Sequence, residues 1–345
     1  MKPLFYSDYL EGAHPAILEA MAKANFEQNP GYSEDRHCAE AAAKVRDTFA
    51  APDADVHFLV GGTQTHATVI SSILKPYQGV IAASSGHIAV HETGAIEHGG
   101  HKVIALPARD GKITAAQIDE AVRLHHSDPS HEHIVQPGMV YISFPTELGT
   151  IYTKDEIAAI SGVCHEHGIP LFIDGARLGY GLMCPECDLK PEDFPRYADV
   201  FYAGGTKQGA LFGEAVLICS DALKKDFRYN IKQNGGMLAK GWLLGIQFDT
   251  LFTDGLYFKI AANAISQAAR IRARLKELGF ELFGSSPTNQ IFTVLTDAQM
   301  AQLDLSAGFE FWEAAGPGRS VIRICTSWAT TDEAVETLLC ALERL

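Results

Sequence analysis

Short apolar runs recur along the first two-thirds of the chain, separated by longer stretches in which apolar residues return every three or four positions. The runs are VHFLV (56–60), GVIAA (79–83), KVIAL (102–106), GMVYIS (138–143), PLFID (170–174), DVFYAG (199–204) and AVLICS (215–220). Each has strand length and strand composition. The intervening TQTHATVISSILKPY, TAAQIDEAVRLHH and TKDEIAAISGVCHEHG read as helices, the last opened by threonine and acids and closed by glycine. Strands alternating with helices predict an α/β fold, a mostly parallel seven-stranded sheet covered by helices.

After about residue 222 the texture changes. Residues 257–278 read as one long helix with alanines and arginines at helical spacing. IFTVL, SVIRICTSW and a terminal amphipathic helix then predict a smaller α+β domain. We therefore divide the chain into an N-terminal arm (1–30) that contributes to the small domain or an interface, a large domain (31–250) and a small C-terminal domain (251–345). The segment HHSDPSHEHIVQPG (125–138) reads as a polar loop, and its histidines match no metal-ligand spacing.

Composition narrows the class. The 345 residues are 47% hydrophobic and 20% charged, values of a globular enzyme. A formal net charge of −14 argues against nucleic acid or an anionic membrane as partner. No apolar run reaches the roughly 18 residues of a membrane span, and the N-terminus lacks a signal-peptide core, so a cytoplasmic protein is expected. Seven scattered cysteines fit reduced thiols. The lone CxxC, Cys184 with Cys187, has no second pair to complete a zinc site, and no metal is expected.

Two segments carry most of the chemistry. FIDGAR (172–177) ends an apolar run in Asp174, and AGGTKQG (203–209) places Lys207 after another. An acid at one strand end and a lysine at a second is the layout that holds pyridoxal 5′-phosphate. The amine forms a Schiff base with the aldehyde, and the acid keeps the ring nitrogen protonated. In VGGTQTHATV (60–69) the glycines permit close backbone approach, Thr63 and Gln64 open a helix whose unpaired amides suit a phosphate, and Thr206 can add a hydroxyl. His87, nearer its strand end than His91, can lie over the ring. Arg177 and Arg323 offer guanidinium groups to a cofactor or substrate anion, Arg323 from within an apolar strand. Ser7 and Asp8 near the start are candidates for the same cleft, and Lys232 and Lys240 flank NGGM (234–237), where they serve either a phosphate, from this or another subunit, or a solvated helix face.

GGTQTHAT, SGHIAVHETGA, FPTELGT, FIDGARLG, GGTKQGALFGEA and IKQNGGMLAKGWLLGIQF together resemble the β-eliminating lyase and threonine aldolase family, fold type I of the pyridoxal-phosphate enzymes, over nearly the whole chain. The resemblance is greatest to its low-specificity threonine aldolase branch. It implies Lys207 as the Schiff-base lysine, Asp174 at the ring nitrogen, His87 over the ring, Gly62 and Thr63 at the phosphate, and Arg177 and Arg323 positioning cofactor and substrate carboxylate with help from Ser7. It also implies a homodimer or homotetramer with shared active sites. Two positions depart from the family pattern. Glu147 stands in FPTELG where many members have a histidine, and Leu238 follows GGM where an arginine is usual. The expected reaction is retro-aldol cleavage of a β-hydroxy-α-amino acid such as L-threonine or L-allo-threonine to glycine and an aldehyde, with His87, Glu147 or a water as proton acceptor. β-Elimination or transamination would use the same cofactor residues. A non-catalytic binding protein is disfavoured by the presence of both Lys207 and Asp174, and a nicotinamide enzyme by the lack of GxGxxG.

Overall fold

A computed structural model describes residues 2–345. Its seven-stranded sheet runs β1-β7-β6-β5-β4-β2-β3. The strands are β1 (Asp55–Leu59), β2 (Gln78–Ala83), β3 (Lys102–Leu106), β4 (Gln136–Ser143), β5 (Leu171–Asp174), β6 (Val200–Gly204) and β7 (Glu214–Ile218). Every pairing is parallel except those of β7 with β1 and β6. All seven lie where the apolar runs place them. Two apolar layers sandwich the sheet. Phe201, Ile173 and Ile142 pack on one face, and Tyr202, Phe172 and Tyr141 on the other. Burial on both faces is why these strands are apolar runs rather than alternating ones.

The parallel strands all point their carboxyl ends the same way, and ligands of open α/β sheets gather at that edge. In register, Ser143 of β4 stands beside Asp174 of β5. The helix Gly62–Ile73 opens just past the end of β1.

The helix Leu256–Glu277 leads to a second sheet of β8 (Gln290–Thr296), β9 (Glu310–Ala314) and β10 (Arg319–Cys325), antiparallel in the order β8-β10-β9. The N-terminal residues join it: the Phe5 amide donates to Gly308, and Phe5 accepts from the Cys325 amide. The strand β9 differs from the sequence expectation. EFWEA carries two acids and is exposed along most of its length, so it lacks an apolar signature. The segment 125–138 is not one loop either. The helix Ala115–Ser127 takes in His125 and His126, and β4 begins at Gln136.

Candidate active site

A cavity of about 610 Å³ lies between the carboxyl edge of the large sheet and the small sheet. It is lined by Gly62, Thr63, His87, Glu147, Asp174, Arg177, Thr206, Lys207 and Arg323, all named from sequence, and also by His66, Tyr202, Glu214 and Trp312. Ser7 is absent from the lining. It is buried, and its Oγ has no hydrogen-bond partner.

The floor centres on Asp174 at the end of β5. Its carboxylate accepts from the Tyr141 and Tyr202 hydroxyls and from the Ala176 amide at 2.8 Å, and His66 Nε2 lies 3.1 Å away. Burial works against its charge, but His66 and the two tyrosines outweigh that and hold Asp174 well below the usual carboxylate range. His66 Nδ1 contacts Glu92 Oε1 at 2.6 Å, and His87 Nδ1 contacts the same oxygen at 2.8 Å. Burial disfavours a cation at His66, yet Asp174 and Glu92 raise it to about 10. Glu92, against the same penalty, is drawn down to about 2 by His66 and His87.

Lys207 follows β6 and makes no ion pair or side-chain hydrogen bond among the described residues. Burial and the nearby Arg177 cation lower its amine from the ordinary lysine value. A neutral amine is what attack on an aldehyde needs. Thr206 Oγ1 donates to Glu214 Oε1 at 3.0 Å, and burial raises that carboxyl to about 7. Arg177 donates from Nε and one terminal nitrogen to the two carboxylate oxygens of the buried Asp8 (2.6 and 3.0 Å), which also accepts from Asn289. Glu147 Oε1 accepts from Ser143 Oγ and the His87 amide, both at 2.7 Å, and burial raises its pKa.

The facing wall is β9 and β10. Arg323 donates to Gln290 Oε1 at 3.2 Å and to the Tyr6 carbonyl at 2.9 Å, and the Trp312 ring covers it at 5.4 Å. Its Nε is buried without a partner, and it pairs with no carboxylate among the described residues. An internal salt bridge is thus not its role here.

The sequence profile of the beta-eliminating lyase family matches residues 5–298. The chain belongs to this family. Among relatives, the low specificity L-threonine aldolase of a Pseudomonas species is 32% identical, over 97% of this chain and 95% of its own. A structure of Leishmania major threonine aldolase superposes with a TM-score of 0.96 at 45% identity, covering 99% of each chain. N-Succinyldiaminopimelate aminotransferase of Mycobacterium tuberculosis, at 16% identity and a TM-score of 0.74, covering 99% of this chain and 93% of its own, shares the fold.

Members of the family use pyridoxal 5′-phosphate, and the cavity suits it. An unpartnered lysine amine and a buried carboxylate line the same space. The helix Gly62–Ile73 begins without a side-chain cap, so its first amides are open to an anion, and a Cβ at Gly62 would come within 3.4 Å of the Tyr202 hydroxyl. His66, Glu92, Tyr141, Tyr202, Glu214 and Trp312 escaped sequence reading. His66 left one signal: it follows Thr63 by three residues, hence shares its helix face.

Proposed function

We propose that the chain is a pyridoxal-phosphate-dependent aldehyde-lyase that cleaves L-threonine-type β-hydroxy-α-amino acids to glycine and an aldehyde. The observation that carries this reading is one cavity shared by Lys207, Asp174 and an Arg323 that has no carboxylate partner among the described residues and an unpaired Nε. Lys207 would hold the cofactor aldehyde, Asp174 its ring nitrogen, His87 the ring face, and the Gly62–Thr63 amides its phosphate, with Thr206 at that end. The bound cofactor supplies an electron sink for the pair released when Cα–Cβ breaks.

Arg323 grips the substrate carboxylate and sets which Cα bond is presented. Arg177, held by Asp8, adds positive charge on the same side and lowers the Lys207 amine. Ser7 supports the carboxylate end from behind the wall. His87 accepts the β-hydroxyl proton in preference to Glu147. The Glu147 carboxyl is pushed up by burial, and one of its oxygens already takes two hydrogen bonds. A positioned base of this kind contributes about 10²–10⁴-fold.

We read residues 31–250 as the cofactor-binding domain, 251–345 as the small domain, and 1–30 as an arm that contributes to the small domain through Phe5 and to a subunit interface. No helix among the described residues is long and apolar enough to cross a membrane, consistent with a cytoplasmic enzyme. Phe26 is 93% exposed and Tyr229 77%, apolar area that a second copy of the chain would cover.

Incubation of the cofactor-loaded protein with L-threonine, L-allo-threonine and D-threonine should release glycine from the L-isomers. Lys207→Ala should abolish both the visible absorbance of bound cofactor and turnover. Release of ammonia and a keto acid without glycine would overturn the assignment in favour of elimination.

A further inference from the structure

We propose that His66 and Glu92 are positioning residues that join Asp174 and His87 into one hydrogen-bonded unit, fixing a proton on His87 Nδ1 and leaving Nε2 as the acceptor presented to substrate. The inference rests on the reaction proposed above. Its geometric basis is a buried chain that runs under the cavity: Asp174 Oδ2 to His66 Nε2 (3.1 Å), His66 Nδ1 to Glu92 Oε1 (2.6 Å), and Glu92 Oε1 to His87 Nδ1 (2.8 Å). His66 is 1% exposed and the Glu92 side chain wholly buried.

Proton positions follow from donor and acceptor capacity. A carboxylate only accepts, so both Nδ1 atoms that face Glu92 Oε1 carry hydrogen. His66 Nε2 faces Asp174 and the oxygen of Tyr202, whose own hydrogen goes to Asp174. Nε2 therefore carries hydrogen too, and His66 is an imidazolium between two carboxylates. His87 needs a single proton, on Nδ1. Its Nε2 makes no protein hydrogen bond among the described residues, and a carboxylate behind Nδ1 fixes the tautomer and the orientation of the ring. The other groups around His87 are His66 and His91, with ring centroids 5.9 and 5.5 Å away, and Glu147, which meets only its amide.

His66, His87 and Glu92 also form the one cluster with metal-ligand chemistry among the described residues. A tetrahedral zinc about 2.1 Å from each ligand holds ligand atoms more than ~3 Å apart. Contacts of 2.6 and 2.8 Å are occupied by protons instead.

The test is long-range proton–nitrogen NMR on the ¹⁵N-histidine-labelled holoenzyme, with His66→Asn and His87→Asn used for assignment. The expected result is a doubly protonated His66 above neutral pH and a neutral His87 in the Nδ1–H form. Glu92→Gln should shift His87 toward the Nε2–H form, lower kcat by about tenfold or more with little change in KM, and move the acidic limb of the kcat/KM profile to lower pH. Glu92→Asp should recover part of the loss. An Nε2–H His87 in the unsubstituted protein overturns the proposal, as does a folded Glu92→Gln enzyme with an unmoved acidic limb. If Glu92→Gln does not fold, the tautomer of the unsubstituted protein decides. Absence of glycine release from every substrate would count against the reaction and leave the tautomer result to stand or fall separately.

Discussion

The two walls of the cavity solve opposite problems. On the large-sheet side, Asp174, His66, Glu92, Tyr141 and Tyr202 are buried and bonded to one another. On the small-sheet side, Arg323 has no carboxylate, its Nε is orphaned, and the buried hydroxyl of Ser7, next in the chain to the Tyr6 carbonyl that Arg323 holds, is orphaned as well. The first wall is bonded together before any ligand arrives, with Glu92 Oε2 its one unpartnered oxygen among these five groups, so its dipoles are already aimed. The second carries unspent hydrogen-bonding capacity, which is costly in a buried setting and is recovered when an anion binds. One surface fixes the electronics of the site. The other selects what enters.

The largest expected effect tests the finished wall. Removing one partner of a buried ion pair costs about 3–5 kcal/mol, so His66→Asn should destabilise the cofactor-free protein by that order. The pH dependence has a definite sign. Glu92 lies below its usual 4.5, at about 2, so its contribution is present above pH 4.5 and fades as pH falls toward 2. His66 lies above its usual 6.5, at about 10, so its contribution is full below pH 6.5 and is lost as pH rises toward 10. Stability from this network is therefore greatest between about pH 4.5 and 6.5. Denaturant unfolding across pH should show the alkaline decline in the parent protein and a flatter curve in His66→Asn. Parallel curves would mean that the network contributes nothing.

How much of this was legible in sequence follows the same divide between local and assembled features. The strands, Asp174 and Lys207 are local: an acid or a lysine ending an apolar run is visible in six residues. His66 and Glu92 acquire meaning only when the helix after β1 and the turn after β2 are packed together. In the chain, His66 is part of a helix start, and Glu92 is one acid in the stretch after β2. Arg323 announced itself as a cation within an apolar strand. Trp312 did not, because β9 is an exposed edge strand whose acids mask the pattern. Arg177 lines the cavity as its place after Asp174 suggests, but the sequence does not show that Asp8, far away in the chain, holds two of its nitrogens. No spacing rule links those two positions.

The unfinished wall is tested next. A hydrogen bond to a charged group is worth about 1.5–3 kcal/mol, so Arg323→Ala should raise KM for amino-acid substrates by roughly tenfold to a hundredfold. The absorbance of bound cofactor should stay unchanged, since that signal reports the opposite wall. Loss of cofactor in this variant would mean that Arg323 serves the cofactor, and the division of labour between the walls would collapse.

The smallest effect separates two ways in which Trp312 can act. Its ring lies over the Arg323 guanidinium at 5.4 Å and is braced edge-on by Phe292 at 5.0 Å. A cation–π contact of this kind is worth about 0.5–1 kcal/mol at a partly exposed site. If Trp312 works by holding Arg323, Trp312→Leu should raise KM about two- to fivefold for every substrate alike, because all present the same carboxylate. If the ring instead touches the substrate's β-substituent, the penalty should grow from a methyl to an aryl group. A series that varies only this substituent, with kcat and KM measured separately, distinguishes a brace for the carboxylate grip from a wall of the side-chain pocket.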